Sequence, residues 1–499
     1  MSGITTNSAD GFHVLSQILS CLLLVGWAFL AIFHLLGIFY GFYKFHRKKI
    51  PNNLKELPGI SIIKPLTCAD SNLYDNLKTF FNLKYPRYEL LFCLQEHDSE
   101  LIAMIERLRA QYPHVESQLF VGSQYAEKRQ ENNSDDDDDD DDDNDNQKND
   151  NLRSVSNNKD IPSTSKRMIS RKRPTCCGTQ KFSSGDALLK TGTMEIVNPK
   201  IFNMLGAYEK AQYPLFLISD SGLMMYEDTL FEMALCMTED VGLVHQMPFT
   251  ANRQGFAGTV EKVYFGTQHA RMYMAINLLG VNCVTGMSCL IRKACIDQVG
   301  GLKAFGRYIA EDYYLAYEVS KQGFKLRVAP TPAQQNSGNY SIKSWTDRMI
   351  RWCKLRMRLS PLAYIEPLQE SFSSAILAGL VTNYLLEWNA LVVGACHILL
   401  WFICDYIILR ITQGGPLPFS KFEFAVAWLI RELSSFYIYF KAFTGPATIT
   451  WRGKIYRLGS GTRVDGLHSS SSSQSSAPTL TVESSSIPTS SNSILPVTG

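Results

Sequence analysis

Residues 57–121, LPGISIIKPLTCADSNLYDNLKTFFNLKYPRYELLFCLQEHDSELIAMIERLRAQYPHVESQLFV, decide the fold. The runs Ile60–Pro65 and Tyr88–Gln95 are short, continuous and rich in aliphatic residues, as strands buried on both faces are. Asn76–Phe81 and Leu101–Gln111 space their apolar residues as helices do. A strand–helix–strand–helix order opens a doubly wound α/β sheet. Further strands are expected at Leu215–Ser219, Val241–His245 and Cys283–Arg292. Between the two groups, residues 124–184 contain nine consecutive aspartates, Asp135–Asp143, with many Asn and Ser and a basic patch at 166–173. That is the composition of a disordered insertion, which interrupts one domain, 55–341, without dividing it into two.

Both flanks of this domain are apolar. After an arm at 1–13, residues 14–43 lack Asp, Glu, Lys and Arg, and they exceed the roughly 20 needed to cross a bilayer. No small-residue cleavage site follows, so a membrane anchor is expected and not a removed signal peptide. Lys44, Arg47, Lys48 and Lys49 lie on its C-terminal side, while the arm has Asp10 and no Lys or Arg. The positive-inside rule then places the rest in the cytosol. In 342–360, Trp345, Met349, Trp352 and Leu359 share a helical face and Arg348, Arg351, Arg356 and Arg358 supply charge. This is the pattern of an interfacial helix, and packing on the domain itself would give the same pattern. Residues 371–445 offer Ser371–Leu386, Trp388–Cys404 and Phe424–Phe440, the last split by Arg431-Glu432. Two or three membrane helices are expected, with their ionisable residues facing protein or headgroups, because a lone charge in lipid costs at least about 2.5 kcal/mol. A short segment, 446–467, precedes a Ser-rich tail, 468–499, that reads as disordered.

The whole chain has 499 residues, 45% of them hydrophobic, which excludes a wholly disordered or fibrous protein. Its 49 basic and 47 acidic residues leave a net charge of +2, and the polyaspartate run hides a modest cationic surplus elsewhere. The surplus is not gathered as nucleic-acid binding requires, and it suits a membrane surface or a phosphorylated substrate. Twelve cysteines without CxxC pairs read as reduced thiols.

Four clusters carry chemistry. Glu96, Asp98 and Ser99 end a strand, where open α/β sheets bind ligands, although strand ends are also polar for solvation alone. Asp220 closes the buried strand Leu217–Ser219, placed either to hold a divalent cation against a diphosphate or to cap a turn. Glu311-Asp312 opens a helix. Adjacent carboxylates raise one another's pKa toward the range of a general base, whereas capping accounts for one acid more readily than for two. Arg348, Arg351 and Trp352 combine guanidinium groups that grip phosphate with an indole that can wall an acceptor, or they are simply a solvated basic face.

In sequence these clusters form LQEHDSE, ISDSGL, GLVHQMPF, RQGFAGTVEKVYFGTQHAR, CVTGMSCLIRK, YIAEDYYLA and RMIRWCKLR. The set resembles the family 2 type glycosyltransferases of GT-A fold and, among these, the ceramide glucosyltransferases, over roughly 57–457 and the anchor. The resemblance implies a mixed doubly wound GT-A sheet with an N-terminal anchor and C-terminal membrane helices. It implies that Asp98 binds the nucleotide, with Ser99 standing where the family commonly has a second Asp, and that Asp220 serves the diphosphate and Mg2+ or Mn2+. It makes Asp312 the general base with Glu311 beside it, sets Arg348, Arg351 and Trp352 around diphosphate and acceptor, and puts His245 at the nucleotide-sugar site. The implied partners are UDP-glucose, ceramide and the lipid bilayer, not nucleic acid. The implied reaction is glucosyl transfer with inversion at a cytosol-facing Golgi or endoplasmic reticulum membrane. Two rival readings differ in what they require. A processive polysaccharide synthase needs several long spans after the catalytic domain, and a non-catalytic scaffold would be expected to lose the acidic motifs.

Overall fold

A computed structural model describes residues 5–47, 57–66, 70–122, 196–253, 255–281, 283–338, 340–451 and 454–468. The acidic insertion and residues 469–499 of the tail lie outside them.

The N-terminal half runs α1 (Thr5–Lys44), β1 (Ile60–Leu66), α2 (Leu73–Phe81), β2 (Tyr88–Leu94), α3 (Ser99–Gln111), β3 (Ser117–Val121), α4 (Pro199–Lys210), β4 (Leu215–Ser219), β5 (Leu223–Met224), α5 (Thr229–Cys236), β6 (Val241–His245) and β7 (Pro248–Thr250). Then come α6 (Phe256–Tyr264), a π-helical turn (Phe265–His269), α7 (Ala270–Leu278), β8 (Ser288–Arg292), α8 (Lys293–Asp297), α9 (Glu311–Lys321), β9 (Lys325–Val328) and β10 (Ala333–Gln335). The chain continues through α10 (Ile342–Leu359), a 3-10 segment (Pro361–Gln369), α11 (Ser371–Leu386), α12 (Ala390–Gln413), α13 (Lys421–Thr444), β11 (Thr448–Trp451), β12 (Lys454–Leu458) and β13 (Val464–His468).

Seven strands form the main sheet in the order β3-β2-β1-β4-β8-β6-β9. Neighbours are parallel except at β8, which is antiparallel to both β4 and β6, so the sheet is mixed as expected. Successive strand residues face opposite sides. Ile60, Ile62 and Leu217 therefore pack with α2, α3 and α5, through Phe80, Ile105 and Met233. Ile63, Phe216 and Ile218 meet α4, α8 and α9 on the other face, through Met204, Ile296 and Val319. With both faces covered, the strands read as nearly continuous apolar runs. The C-terminal ends of β1, β2 and β4 fall on one edge, and the polar residues that follow them are the site's raw material.

Of the two neighbours the pattern allows for the apolar face of α10, lipid or the domain itself, the protein is the one in contact. Trp345, Met349 and Cys353 are buried against Tyr264, Phe265 and Phe424, from α6, the π turn and α13. Periodicity identifies which residues share a face, and here protein covers that face.

Among the described residues, two helices, within Gly11–Lys44 and at Ala390–Gln413, are long and apolar enough to cross a membrane, and α11 is a shorter apolar helix of 16 residues. Charges between the C-terminal helices are paired internally. Arg271 of α7 meets Asp405 of α12 at 2.9 Å, and Arg431 of α13 meets Asp405 at 3.0 Å and Glu370 at 3.1 Å and also contacts Glu432. The indole N–H of Trp428 donates to Asp405 at 2.8 Å. Sealing charges from lipid in this way is what apolar helices require. The segment 446–467, to which the sequence assigned no element, holds β11, β12 and most of β13, which form a three-stranded antiparallel sheet in the order β11-β12-β13, and His468, counted with the tail, closes β13.

Candidate active site

The turn after β4 brings the acidic residues together. Asp220 donates its backbone N–H to Met287 O at 2.9 Å, which ties the turn to the segment entering β8. Lys64, at the end of β1, supports it from below, donating to Ser219 Oγ at 3.1 Å and to Asp220 O at 2.7 Å. Burial holds the Lys64 ammonium well below its usual pKa, with Asp220 pulling the other way.

Above that turn, α4 starts at Asn198. The side-chain oxygen of Asn198 accepts from Lys200 N and Ile201 N, and Pro199 occupies the first helical position, a strong helix start. The Asn198 amide donates to Glu311 Oε2 at 3.0 Å and to Tyr308 O at 2.7 Å. Lys200 then places its Nζ 2.9 Å from Asp220 Oδ1, 3.1 Å from Glu311 Oε1 and 2.9 Å from Gly286 O. Burial opposes its charge, but Asp220 and Glu311 more than offset this and raise its pKa. One ammonium thus ties the strand-end aspartate to the acidic start of α9.

Asp312 points to the same hub. Its Oδ2 accepts from Gly286 N at 2.6 Å and its Oδ1 from Tyr313 N at 2.9 Å. A Cβ at position 286 would stand 2.8 Å from Asp312 Cβ, so only glycine permits this approach. Ile218, Leu243, Cys289 and Leu315 form an apolar wall behind the carboxyl. Burial first, then the charge of Glu311, pushes its pKa up to about 6, while Lys200 and the two backbone donors work against the rise.

The basic motif reaches this hub through its indole. Trp352 packs against Leu223 and Met287, the residues that brace the Asp220 turn. Arg348 lies over the Trp352 ring at 4.7 Å, donates to Gln335 at 2.8 Å and approaches Glu261 at 3.4 Å. Glu261 is fully buried and also pairs with Arg253. Arg351 has no ion pair among the described residues, and burial, then Arg348 beside it, lowers its pKa. Beyond lies an open cleft of ≈ 380 Å³ lined by Ser71, Asn72, Arg253, Asn336 and Tyr340. Asn336 N donates to Gly222 O at 2.7 Å, so the cleft adjoins the Asp220 turn.

Two further expected site residues do not touch the Lys200 hub. Asp98 lies in the turn after β2, two strands from β4, and its Oδ1 caps α3 by accepting from Glu100 N and Leu101 N, both at 3.1 Å. His245 corrects its expectation more sharply. It is fully buried on an interior strand between β8 and β9, its Nδ1 meets the Tyr273 hydroxyl, and burial lowers its pKa to about 3. A ring enclosed in this way presents nothing to a ligand.

Lys200, Asn198, Gly286 and Glu261 were not singled out in the sequence. The Asn-Pro-Lys start of α4 was a legible helix signal, but nothing in its spacing pointed to carboxylates 20 and 111 residues away.

Among the described residues, no group of three or more His, Cys, Asp or Glu is arranged to hold a metal. Mg2+ shared with a diphosphate needs only one or two carboxylates, because the phosphates supply further oxygens. Asp220 fits that role. Its side chain is 42% exposed, and Lys200 engages only Oδ1.

The model of glycosyl transferase family 21 matches residues 29–132 and 180–464. Ceramide glucosyltransferase 3 of Caenorhabditis elegans is 33% identical over 447 residues, covering 88% of this chain and 82% of that protein. Ceramide glucosyltransferase 1 of the same organism is 32% identical, covering 91% and 82%. Among solved structures, a mannosyltransferase from Pyrobaculum calidifontis in complex with GDP-Man and Mn2+ aligns over 86% of this chain and 99% of its own, at 12% identity and a TM-score of 0.40.

Proposed function

The chain belongs to glycosyl transferase family 21, and from that premise we propose that it moves glucose from UDP-glucose to the primary hydroxyl of ceramide, with inversion. It is a glycosyltransferase; the donor, acceptor and stereochemistry are our reading. One observation carries the reading: Lys200 and Gly286 join Asp220, where a donor diphosphate would lie, to Asp312, a carboxylate tuned for proton abstraction.

In the proposed reaction Asp312 takes the acceptor hydroxyl proton as that oxygen attacks the anomeric carbon. The bond from that carbon to the UDP oxygen breaks, and its electron pair leaves with UDP. The proton remains on Asp312 and no covalent enzyme intermediate forms. Asn198 and Lys200 hold Glu311 in place, so its charge keeps the proton affinity of Asp312 high. Arg351, the cation of its motif without an ion pair among the described residues, meets the diphosphate. Arg348, held by Gln335 and Glu261, keeps Trp352 against the Asp220 turn as a wall for the acceptor. The carboxylate oxygen of Asp98 that does not cap α3 is available to the nucleotide. When bound at Asp220, Mg2+ or Mn2+ would offset charge on the leaving diphosphate. The setting proposed is a Golgi membrane with the catalytic domain toward the cytosol, so that the donor comes from water and the acceptor from lipid.

The test uses purified membranes, UDP-glucose and a short-chain ceramide. Wild type is expected to form a monoglucosylated lipid, and Asp312→Ala to lose about 10²–10⁴-fold in rate, the usual worth of a general base. Transfer that persists in Asp312→Ala removes that residue as the base. A product longer than one sugar favours a polymer synthase.

A further inference from the structure

The 3-10 segment Pro361–Gln369 follows the RxxRW helix directly and is built inside out for a loop in water. Leu362, Tyr364, Ile365 and Leu368 are exposed at 64%, 55%, 57% and 49%, whereas the one carboxylate among them, Glu366, is turned inward with 12% of its side chain accessible. Arg356 of α10 grips Glu366 with two bonds, Nε to Oε1 at 2.9 Å and Nη2 to Oε2 at 2.8 Å, and Tyr439 of α13 adds its hydroxyl at 3.4 Å. Such bidentate pairing fixes orientation as well as position. The four apolar side chains are therefore held outward by a part-buried ion pair, which is the reverse of aqueous patterning.

Their surroundings identify the occupant. Tyr364 stacks on Phe443 at 5.7 Å, so the patch continues onto the exposed apolar flank of α13, where Phe440 is 63% and Leu433 57% exposed. On the other side the chain passes straight into the apolar α11. Arg358, exposed on the last turn of α10, borders the patch with a cation. Apolar side chains continuous with the exposed apolar flank of α13 and with the apolar α11, and rimmed by an arginine, match the acyl–headgroup boundary of a bilayer.

We propose that residues 361–369 dip into the bilayer and that the Arg356–Glu366 clamp passes this anchorage to α10, setting Arg351 and Trp352 at headgroup depth. With the apolar face of α10 covered by protein, the lipid contact falls to the segment after it. The bilayer contact stands independently of the acceptor's identity; the placing of the acceptor rests on the function proposed above.

The test reconstitutes the full chain in phosphatidylcholine nanodiscs with benzoylphenylalanine, a photoreactive residue, at position 362 or 365, and with position 343 on exposed α10 as control. Lipid adducts at 362 and 365, and none at 343, are expected by mass spectrometry. Adducts to a second polypeptide, or no lipid adduct at 362 and 365, overturn the proposal, and this readout needs no turnover. In the double variant Leu362→Asp, Ile365→Asp, the KM for a bilayer-borne acceptor is expected to rise roughly tenfold, from lost apolar burial, with the donor KM unchanged. Unchanged kinetics in bilayers, or an equal rise for both substrates, contradicts the coupling of the segment to acceptor delivery.

Discussion

Asp312 holds its proton to about pH 6 because an apolar wall and the Glu311 charge both oppose its ionisation. A base must be ionised to act, so kcat/KM is expected to fall as pH drops below about 6 and to level off above it, with the midpoint read from a pH–rate profile of the free enzyme. Removing the neighbouring charge in Glu311→Gln should move that midpoint down, and a midpoint that stays put would show that Glu311 does not tune the base. The same shift acts on stability. The native state binds this proton more tightly than the unfolded chain, so Asp312 favours folding at low pH, and that contribution is lost as pH rises from about 4 through about 6. At this scale the sequence disclosed the acidic residues and not their partners. An adjacent Glu-Asp pair is visible in one line of text, whereas the N–H of Gly286 and the ammonium of Lys200 reach it only through folding.

At the scale of elements, α4 is the strut between the two halves of the site, and Lys200 is its point of attachment. Lys200→Met leaves the buried Glu311 without its cation, so unfolding in detergent should be easier by a few kcal/mol. The loss belongs near the lower end of the roughly 3–5 kcal/mol typical of broken buried pairs, because Asp220 remains 42% exposed. Lys200→Arg should recover part of it, and equal stability of the two variants would contradict the strut. The strands β4 and β6 were legible to the residue, since a short apolar run closed by Asp or Gln has few alternatives. Strand β8 begins at Ser288, later than expected, because residues 283–287 are spent on the turn that presents Gly286 to Asp312 and Lys200. The strands β11 and β12 were missed because four and five residues are too few to show a period. For α10 the pattern was right about the face and silent about what covers it, since Trp345 and Met349 would look the same against Phe265 or against lipid.

Across the whole molecule, one buried ionic cluster links α7, α12 and α13 and holds the apolar helices to the catalytic domain. Its three carboxylates, Asp405, Glu370 and Glu432, depend on Arg271 and Arg431. Arg431→Leu should therefore cost about 3–5 kcal/mol and lower the thermal midpoint of the detergent-solubilised protein. A midpoint unchanged from wild type would mean that these charges are satisfied some other way. The sequence showed that Arg431-Glu432 interrupts an apolar run and therefore needs shelter, but Arg271, 160 positions earlier, gave no sign of being the partner cation.

The most direct measurement is the anomeric configuration of the product, read from its NMR coupling after incubation of the reconstituted chain with UDP-glucose and ceramide. A single β-linked glucose on the primary hydroxyl is expected with wild type, and a near-absence of product with Asp312→Asn. An α-linked product, or undiminished transfer by Asp312→Asn, would contradict the proposed reaction.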